Sequence, residues 1–158
     1  MVSVEAAVAA VADPELRVLT IADLGILRGI DVAAGGRVTV TITPTYTGCP
    51  AMDVIRRDIV AAARAAGSAE VEVRTELSPP WNTDWISADG RAKLAAAGIA
   101  PPTGRRAAPA TVALTLTMRC PLCGSPDTEE LSRFGSTACK SLWRCRACRE
   151  PFDAVKAH

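Results

Sequence analysis

A small α/β sandwich followed by a metal-clipped β ribbon is the fold class the sequence predicts, and three observations predict it. Segments of period-two and helical hydrophobicity alternate over residues 1–98. Residues 99–115 hold Pro101, Pro102, Gly104 and Pro109, which is linker composition. Residues 116–158 contain two C-x-x-C pairs, Cys120/Cys123 and Cys145/Cys148. The division expected is therefore an α/β domain over 1–98, a linker over 99–115 and a zinc ribbon over 116–158. Apolar residues make up 49% of the chain but aromatics only 4%, so any core is lean and the smaller unit needs a metal to fold.

In chain order, Val4 to Ala12 reads as a short helix stopped at Asp13-Pro14, because proline disfavours helix at the residue before it. Ile26 to Val32 and Arg37 to Thr43 read as strands joined by a hairpin at Ala33 to Gly36. In the second strand Val38, Val40 and Ile42 alternate with threonines. Ala51 to Ala66 reads as an amphipathic helix with Met52, Ile55, Ile59, Ala62, Ala63 and Ala66 on one face and Gly67 as its stop. Arg56, Arg57 and Arg64 lie mostly elsewhere on it. Ala69 to Leu77 alternates as a third strand, and Ser87 caps a helix over Ala88 to Ala97 that ends at Gly98. The order α-β-β-α-β-α predicts helices packed on a three-stranded sheet. In the ribbon, Thr128 to Phe134 and Lys140 to Arg144 form a hairpin, with Phe134, Trp143 and Phe152 expected to fill its small core.

Charge and composition exclude several function classes. Net charge is +1, which predicts no general attraction to nucleic acid or anionic membrane. No stretch approaches the roughly 18 uninterrupted apolar residues of a membrane span. Glu5, Asp13 and Glu15 sit where a signal peptide is uncharged or basic, so a cytoplasmic protein with reduced thiols is expected. The single histidine is His158, the last residue, which leaves no positioned imidazole for a triad, a Cys-His pair or a histidine-based zinc catalyst.

The two C-x-x-C knuckles are separated by 21 residues and supply four thiolates for one tetrahedral zinc. Iron in the same four sulfurs is the alternative that spacing leaves open. With Cys120, Cys123, Cys145 and Cys148 all bound, the metal has no open position, so its role is structural. Arg144, Arg146 and Arg149 cluster near the second knuckle, yet a partner-protein surface fits the ribbon's slight charge better than a nucleic acid does. Cys139 reads as a small buried residue on the hairpin, with a spare thiol or substitute ligand as the other reading.

Cys49 follows a strand and immediately precedes a helix, with Gly48 allowing a tight turn and Pro50 suited to the first helical turn. That position sets the sulfur near the positive end of the helix dipole, which favours thiolate. A plain capping or buried cysteine fits the spacing equally well. Asp13-Pro14-Glu15 and Asp23-Leu24-Gly25 are acidic turn motifs, and Trp81 and Trp85 read as packing residues.

Taken together, Asp13-Pro14-Glu15-Leu16, Leu19-Thr-Ile-Ala-Asp23-Leu24-Gly25-Ile26 and Thr43-Pro-Thr-Tyr-Thr-Gly-Cys49-Pro50-Ala51 resemble the small iron–sulfur-assembly family that includes SufT and the cytosolic Fe–S targeting proteins. Trp81-Asn-Thr-Asp-Trp85-Ile-Ser, Gly135-Ser-Thr-Ala-Cys139-Lys140 and Glu150-Pro151-Phe152 resemble its PaaD-type members, encoded with the bacterial phenylacetyl-CoA ring epoxidase. One departure is Arg17, where family members usually carry proline. The resemblance implies a cytoplasmic accessory protein of the phenylacetyl-CoA oxygenase complex, not an enzyme, that assists Fe–S cluster or iron-centre assembly. It implies Cys49 as the reactive or cluster-contacting thiol, with Asp13, Asp23, Thr47 and Gly48 as candidate site-shaping residues. It implies zinc as structural metal, transient iron or Fe–S cluster as cargo, and oxygenase subunits, above all the Fe–S reductase component, as partners. One thiolate cannot hold a cluster that takes four ligands, so a homodimer or ligands shared with a partner are expected. The competing readings are a non-catalytic structural subunit of that oxygenase, a nucleic-acid-binding ribbon protein, and a thiol enzyme using Cys49.

Overall fold

A computed structural model describes residues 2–103 and 118–156. The expected linker therefore lies outside the described residues from 104 onward, as does His158. The chain forms two compact units, one ending at Gly90 and the other beginning at Arg91.

In the first unit, α1 (Val4–Ala9) is capped by the Ser3 hydroxyl, which accepts from the Ala6 N–H. It ends three residues short of the expected Ala12. β1 (Leu27–Val32), β2 (Arg37–Ile42) and β3 (Glu70–Thr75) form a mixed sheet in the order β1-β2-β3. The β1–β2 pair is an antiparallel hairpin turning at 33–36. β2 and β3 are parallel, with Val38 opposite Val71 and Val40 opposite Val73, because α2 (Ala51–Ala65) supplies the long crossover that parallel pairing requires. The alternation read from β2 is real: Val38, Val40 and Ile42 are buried and the residues between them face outward. α2 buries Met52, Ile55, Ile59 and Ala63, at the three-and-four spacing of one helix face. It packs against α1 and β3. The mixed α/β architecture predicted from the periodicities is therefore the one observed.

The segment between α1 and β1 has little regular structure but is stitched tightly. Asp13 N–H donates to Leu19 O, Ile21 N–H to Val11 O and Leu27 N–H to Ile21 O. Its Leu16, Leu19, Ile21, Leu24 and Ile26 are buried. A bulge in β1 makes Arg28 the extra residue, and its guanidinium lies 3.8 Å from the centre of the Trp85 ring. Trp81 is buried, and its indole N–H donates to Leu24 O at 2.8 Å. Both tryptophans are packing residues, as read from the sequence.

The ribbon carries a four-stranded sheet. β5 (Thr128–Ser132) and β6 (Lys140–Cys145) form the expected hairpin. β7 (Pro151–Val155) pairs with β6, and β4 (Ile99–Ala100) pairs in parallel with β7. Ile99 and Ala100, which composition places in the linker, are thus a strand of the ribbon sheet. They follow α3 (Ala88–Ala96), where the Ser87 hydroxyl accepts the Gly90 N–H. A two-residue strand carries too little alternation to be read from sequence. The core of this sheet is Ala100, Cys120, Cys145, Phe152 and Ala154, with Met118 and Trp143 against it. Phe134 is not part of it: the residue is 82% exposed at the start of the β5–β6 connection, with the Lys156 ammonium 5.3 Å from the ring centre.

Candidate functional site: a four-sulfur cluster and a solitary thiol

The ribbon brings its two knuckles together. The Sγ atoms of Cys120, Cys123, Cys145 and Cys148 all lie within 4.8 Å of one another. Cys120 and Cys148 sulfurs are 3.8 Å apart, and those of Cys123 and Cys145 are 3.6 Å apart. Tetrahedral zinc with Zn–S near ~2.3 Å requires sulfur–sulfur edges of about 3.8 Å, close to the two separations just given. One cysteine of each knuckle is buried in the ribbon core and the other is exposed. Each knuckle is followed by a left-handed residue, Gly124 (φ 76°) and Arg149 (φ 67°). The first knuckle closes through Gly124 N–H to Cys120 O, and in the second the Cys148 N–H points at the Cys145 sulfur at 3.5 Å.

The electrostatics of the cluster favour a bound cation. The Cys148 N–H and the neighbouring thiols bring the Cys145 thiol down to about 7. Cys148 is pushed up to about 12: the Glu150 N–H lowers it, but desolvation and the other three cysteines outweigh that donor. Four sulfurs this close cannot all ionise unless positive charge sits among them. Cys139 is outside the cluster. Its sulfur lies 3.2 Å from Thr137 Oγ1, in a turn closed by Gly135 N–H to Lys140 O and Lys156 N–H to Cys139 O.

Cys49 stands at the other candidate site. Gly48 has φ 83°, the left-handed turn the sequence anticipates, and Cys49 N–H donates to Tyr46 O. Cys49 O accepts the Met52 N–H in the first turn of α2, with Pro50 at the helix boundary. Thr47, Gly48 and Pro50 are exposed and Cys49 is half-buried, so solvent reaches this turn.

The two aspartates are committed to local turns. Asp13 is buried, and its Oδ1 accepts the N–H groups of Glu15 and Leu16 at 2.9 and 2.6 Å. This carboxylate fixes the turn that leads into Arg17. Asp23 and Thr20 cap one another: Thr20 N–H donates to Asp23 Oδ2 and Asp23 N–H to Thr20 Oγ1.

Burial raises the Asp13 carboxyl above its ordinary value, against the pull of the Leu16 and Glu15 N–H donors. A raised carboxyl favours the protonated native state. Its contribution is fully present below the unfolded pKa and is lost as pH rises through the folded one. Asn at this position keeps the Oδ1 acceptor and removes the charge. Asp13→Asn should therefore gain in urea midpoint relative to the parent at pH 7, and the gain should disappear at pH values below the ordinary aspartate range. Asp13→Ala, lacking the acceptor, should lose about 1–2 kcal/mol. An Asn variant that is less stable at pH 7 than at acid pH, each relative to the parent, would show that the charge is not the destabilising element.

Among the described residues no helix is long and apolar enough to cross a membrane. Two family models match separate segments of the chain. Residues 2–74 match the family model "Iron-sulfur cluster assembly protein", and residues 105–156 match "PaaD zinc beta ribbon domain". The chain is 45% identical over 144 residues to a putative 1,2-phenylacetyl-CoA epoxidase subunit of Escherichia coli, covering 91% of this chain and 85% of that protein. It is 38% identical over 83 residues to a "Fe-S protein maturation auxiliary factor" of Porphyromonas gingivalis, covering 52% of this chain and 78% of that one. A crystal structure of a "Domain of Unknown Function DUF59" from Bacillus anthracis superposes with a TM-score of 0.53 at 28% identity, over 58% of this chain and 87% of its own. Bearing an iron–sulfur-assembly domain, a zinc ribbon with its four sulfurs converged, and this degree of identity to a putative epoxidase subunit, the chain belongs to the PaaD family.

Proposed function

We propose that this protein is a non-catalytic accessory factor of a phenylacetyl-CoA oxygenase, assisting assembly of an iron–sulfur or iron centre in one of its subunits. The observation that carries the reading is Cys49, half-buried in an exposed turn of a domain whose relatives include an Fe–S maturation factor. Iron or a cluster is cargo in this reading. One cysteine provides one of the four ligands a cluster takes, so Cys49 acts while sharing the cargo with ligands of a second copy or of the client. The Fe–S reductase component is the client proposed, the cytoplasm the compartment, and zinc in the four-sulfur cluster the resident structural ion.

Cys49→Ser should leave the far-ultraviolet circular dichroism and the metal content of the chain unchanged. Oxygenase subunits co-produced with this variant should carry as little iron, and as little visible cluster absorbance on the reductase, as subunits produced without the chain. A fully iron-loaded, active oxygenase obtained with Cys49→Ser sinks the proposal. An oxygenase that fails to assemble without the chain, yet whose reductase is fully loaded, assigns the chain a structural role instead.

A further inference from the structure

Along one flank of α2 the arginines left off the core face gather over the edge of the first sheet. Arg56, Arg57, Val60, Ala61 and Arg64 of the helix and Val73 of β3 line a groove of about 430 Å³. Its lining is mostly apolar, built from the side chains of three arginines, two valines and an alanine, and includes no acidic residue. Asp53 and Asp58 offset Arg56 and Arg57 from outside it, while Arg64 has no ion pair among the described residues. Arg56 also donates to Thr75 Oγ1 at 2.7 Å, which pins one end of the groove to the end of β3. Among the described residues β3 pairs only with β2, and its other backbone edge has no strand partner among them.

We propose that this groove docks an extended, acidic segment of a partner protein, which adds as a strand beside β3 and faces the arginines with its carboxylates. The spacing of the lining defines the segment. Arg56 and Arg64 are eight residues apart, about 12 Å along a helix. Groove-facing side chains at i and i+4 of a strand are about 13 Å apart, with the side chain at i+2 between them. Two carboxylates flanking an apolar residue therefore meet Arg56, the Val60–Ala61–Val73 floor and Arg64 in turn. The intervening residues fall beside Glu70, Glu72 and Arg74, where an acid would be repelled by the two glutamates. A second copy of β3 does not qualify, because it would present Val71, Val73 and Thr75 and leave the guanidiniums unmatched.

The test uses the full, zinc-loaded, isotope-labelled chain and an acetylated, amidated peptide of sequence Thr-Glu-Thr-Val-Thr-Glu-Thr. Amide shifts should concentrate at 71–75 and on α2 around residues 56–64, and should weaken as salt is raised. The same peptide with lysine for glutamate should leave those amides unmoved, and R57E/R64E should weaken the acidic peptide by roughly tenfold. R64A, which removes the guanidinium without adding an acid, should retain the fold and show an intermediate loss. Shifts that are equal for the lysine peptide or scattered away from β3 overturn the proposal. So do shifts reproduced by an oligothymidylate, which would mark a general polyanion surface, and shifts that depend on the chain's own concentration.

Discussion

Replacing Cys145 with serine should release the ribbon's metal and unfold β4 to β7, while β1 to β3 and α2 keep their amide protection. The reason lies in what the ribbon core contains. Its five buried members are Ala100, Cys120, Cys145, Phe152 and Ala154, so two of them are ligands and only one is large and apolar. Such a core cannot offset the entropy of ordering the segment without help. A structural zinc in a comparable small domain contributes about 10–16 kcal/mol of apparent binding energy near neutral pH, all of it coupled to folding. Loss of one thiolate removes most of that.

The expected measurements are metal content falling from about one ion per chain to none, and fast hydrogen exchange confined to the residues of β4 to β7. Chelation of the parent protein should give the same exchange pattern. Loading should release protons, since Cys148 of the metal-free cluster holds its own far above neutral pH. Metal affinity should accordingly rise with pH. A Cys145→Ser protein that retains both its ion and slow exchange in β6 would show that the cluster is not what holds the ribbon.

The elements that the sequence announces are those governed by local rules. β2 alternates because one face is buried, α2 repeats at three and four because one helix side faces the core, and the paired knuckles need only their own turns to aim the sulfurs. What sequence misses depends on distant partners. β4 is a strand only because β7 offers it an edge, and two residues show no period. Phe134 looks like core by composition, yet the turn built on Gly135 and Lys140 carries it outward to 82% exposure. The sequence places the arginines of α2 only off its apolar face, and the arrival of Val73 from β3 makes a groove of them. Cys49 is intermediate: its turn and Gly48 are legible from the order strand–Gly–Cys–Pro–helix, whereas its exposure is not.

Asp23-Leu24-Gly25 and Trp81-Asn-Thr-Asp-Trp85 look like separate motifs in the sequence and are one structure in the fold, and this makes Gly25→Ala the most damaging small substitution in the first unit. Leu24 O accepts the Trp81 indole N–H, and Asp23 O accepts the Ser87 N–H at 2.9 Å. Gly25 directly follows these two acceptors at φ 71°, and a Cβ there would sit 2.6 Å from Trp85 O and 2.7 Å from Trp85 Cβ. Neither atom is the loose end of a flexible side chain. The left-handed conformation costs a non-glycine residue about 1–2 kcal/mol, and overpacking adds about 1–3 kcal/mol. A loss of about 2–5 kcal/mol is a large share of the ~5–15 kcal/mol that holds a typical domain.

Gly29→Ala is the control, because nothing lies within 4 Å of its Cβ position. It should unfold at nearly the urea midpoint of the parent. Gly25→Ala should unfold at a markedly lower one, with faster exchange at Ser87 N–H and loss of the Trp81 indole N–H protection. If the two alanine variants unfold together, the loop bearing the tryptophans yields easily, and the clamp between the two motifs contributes little to stability.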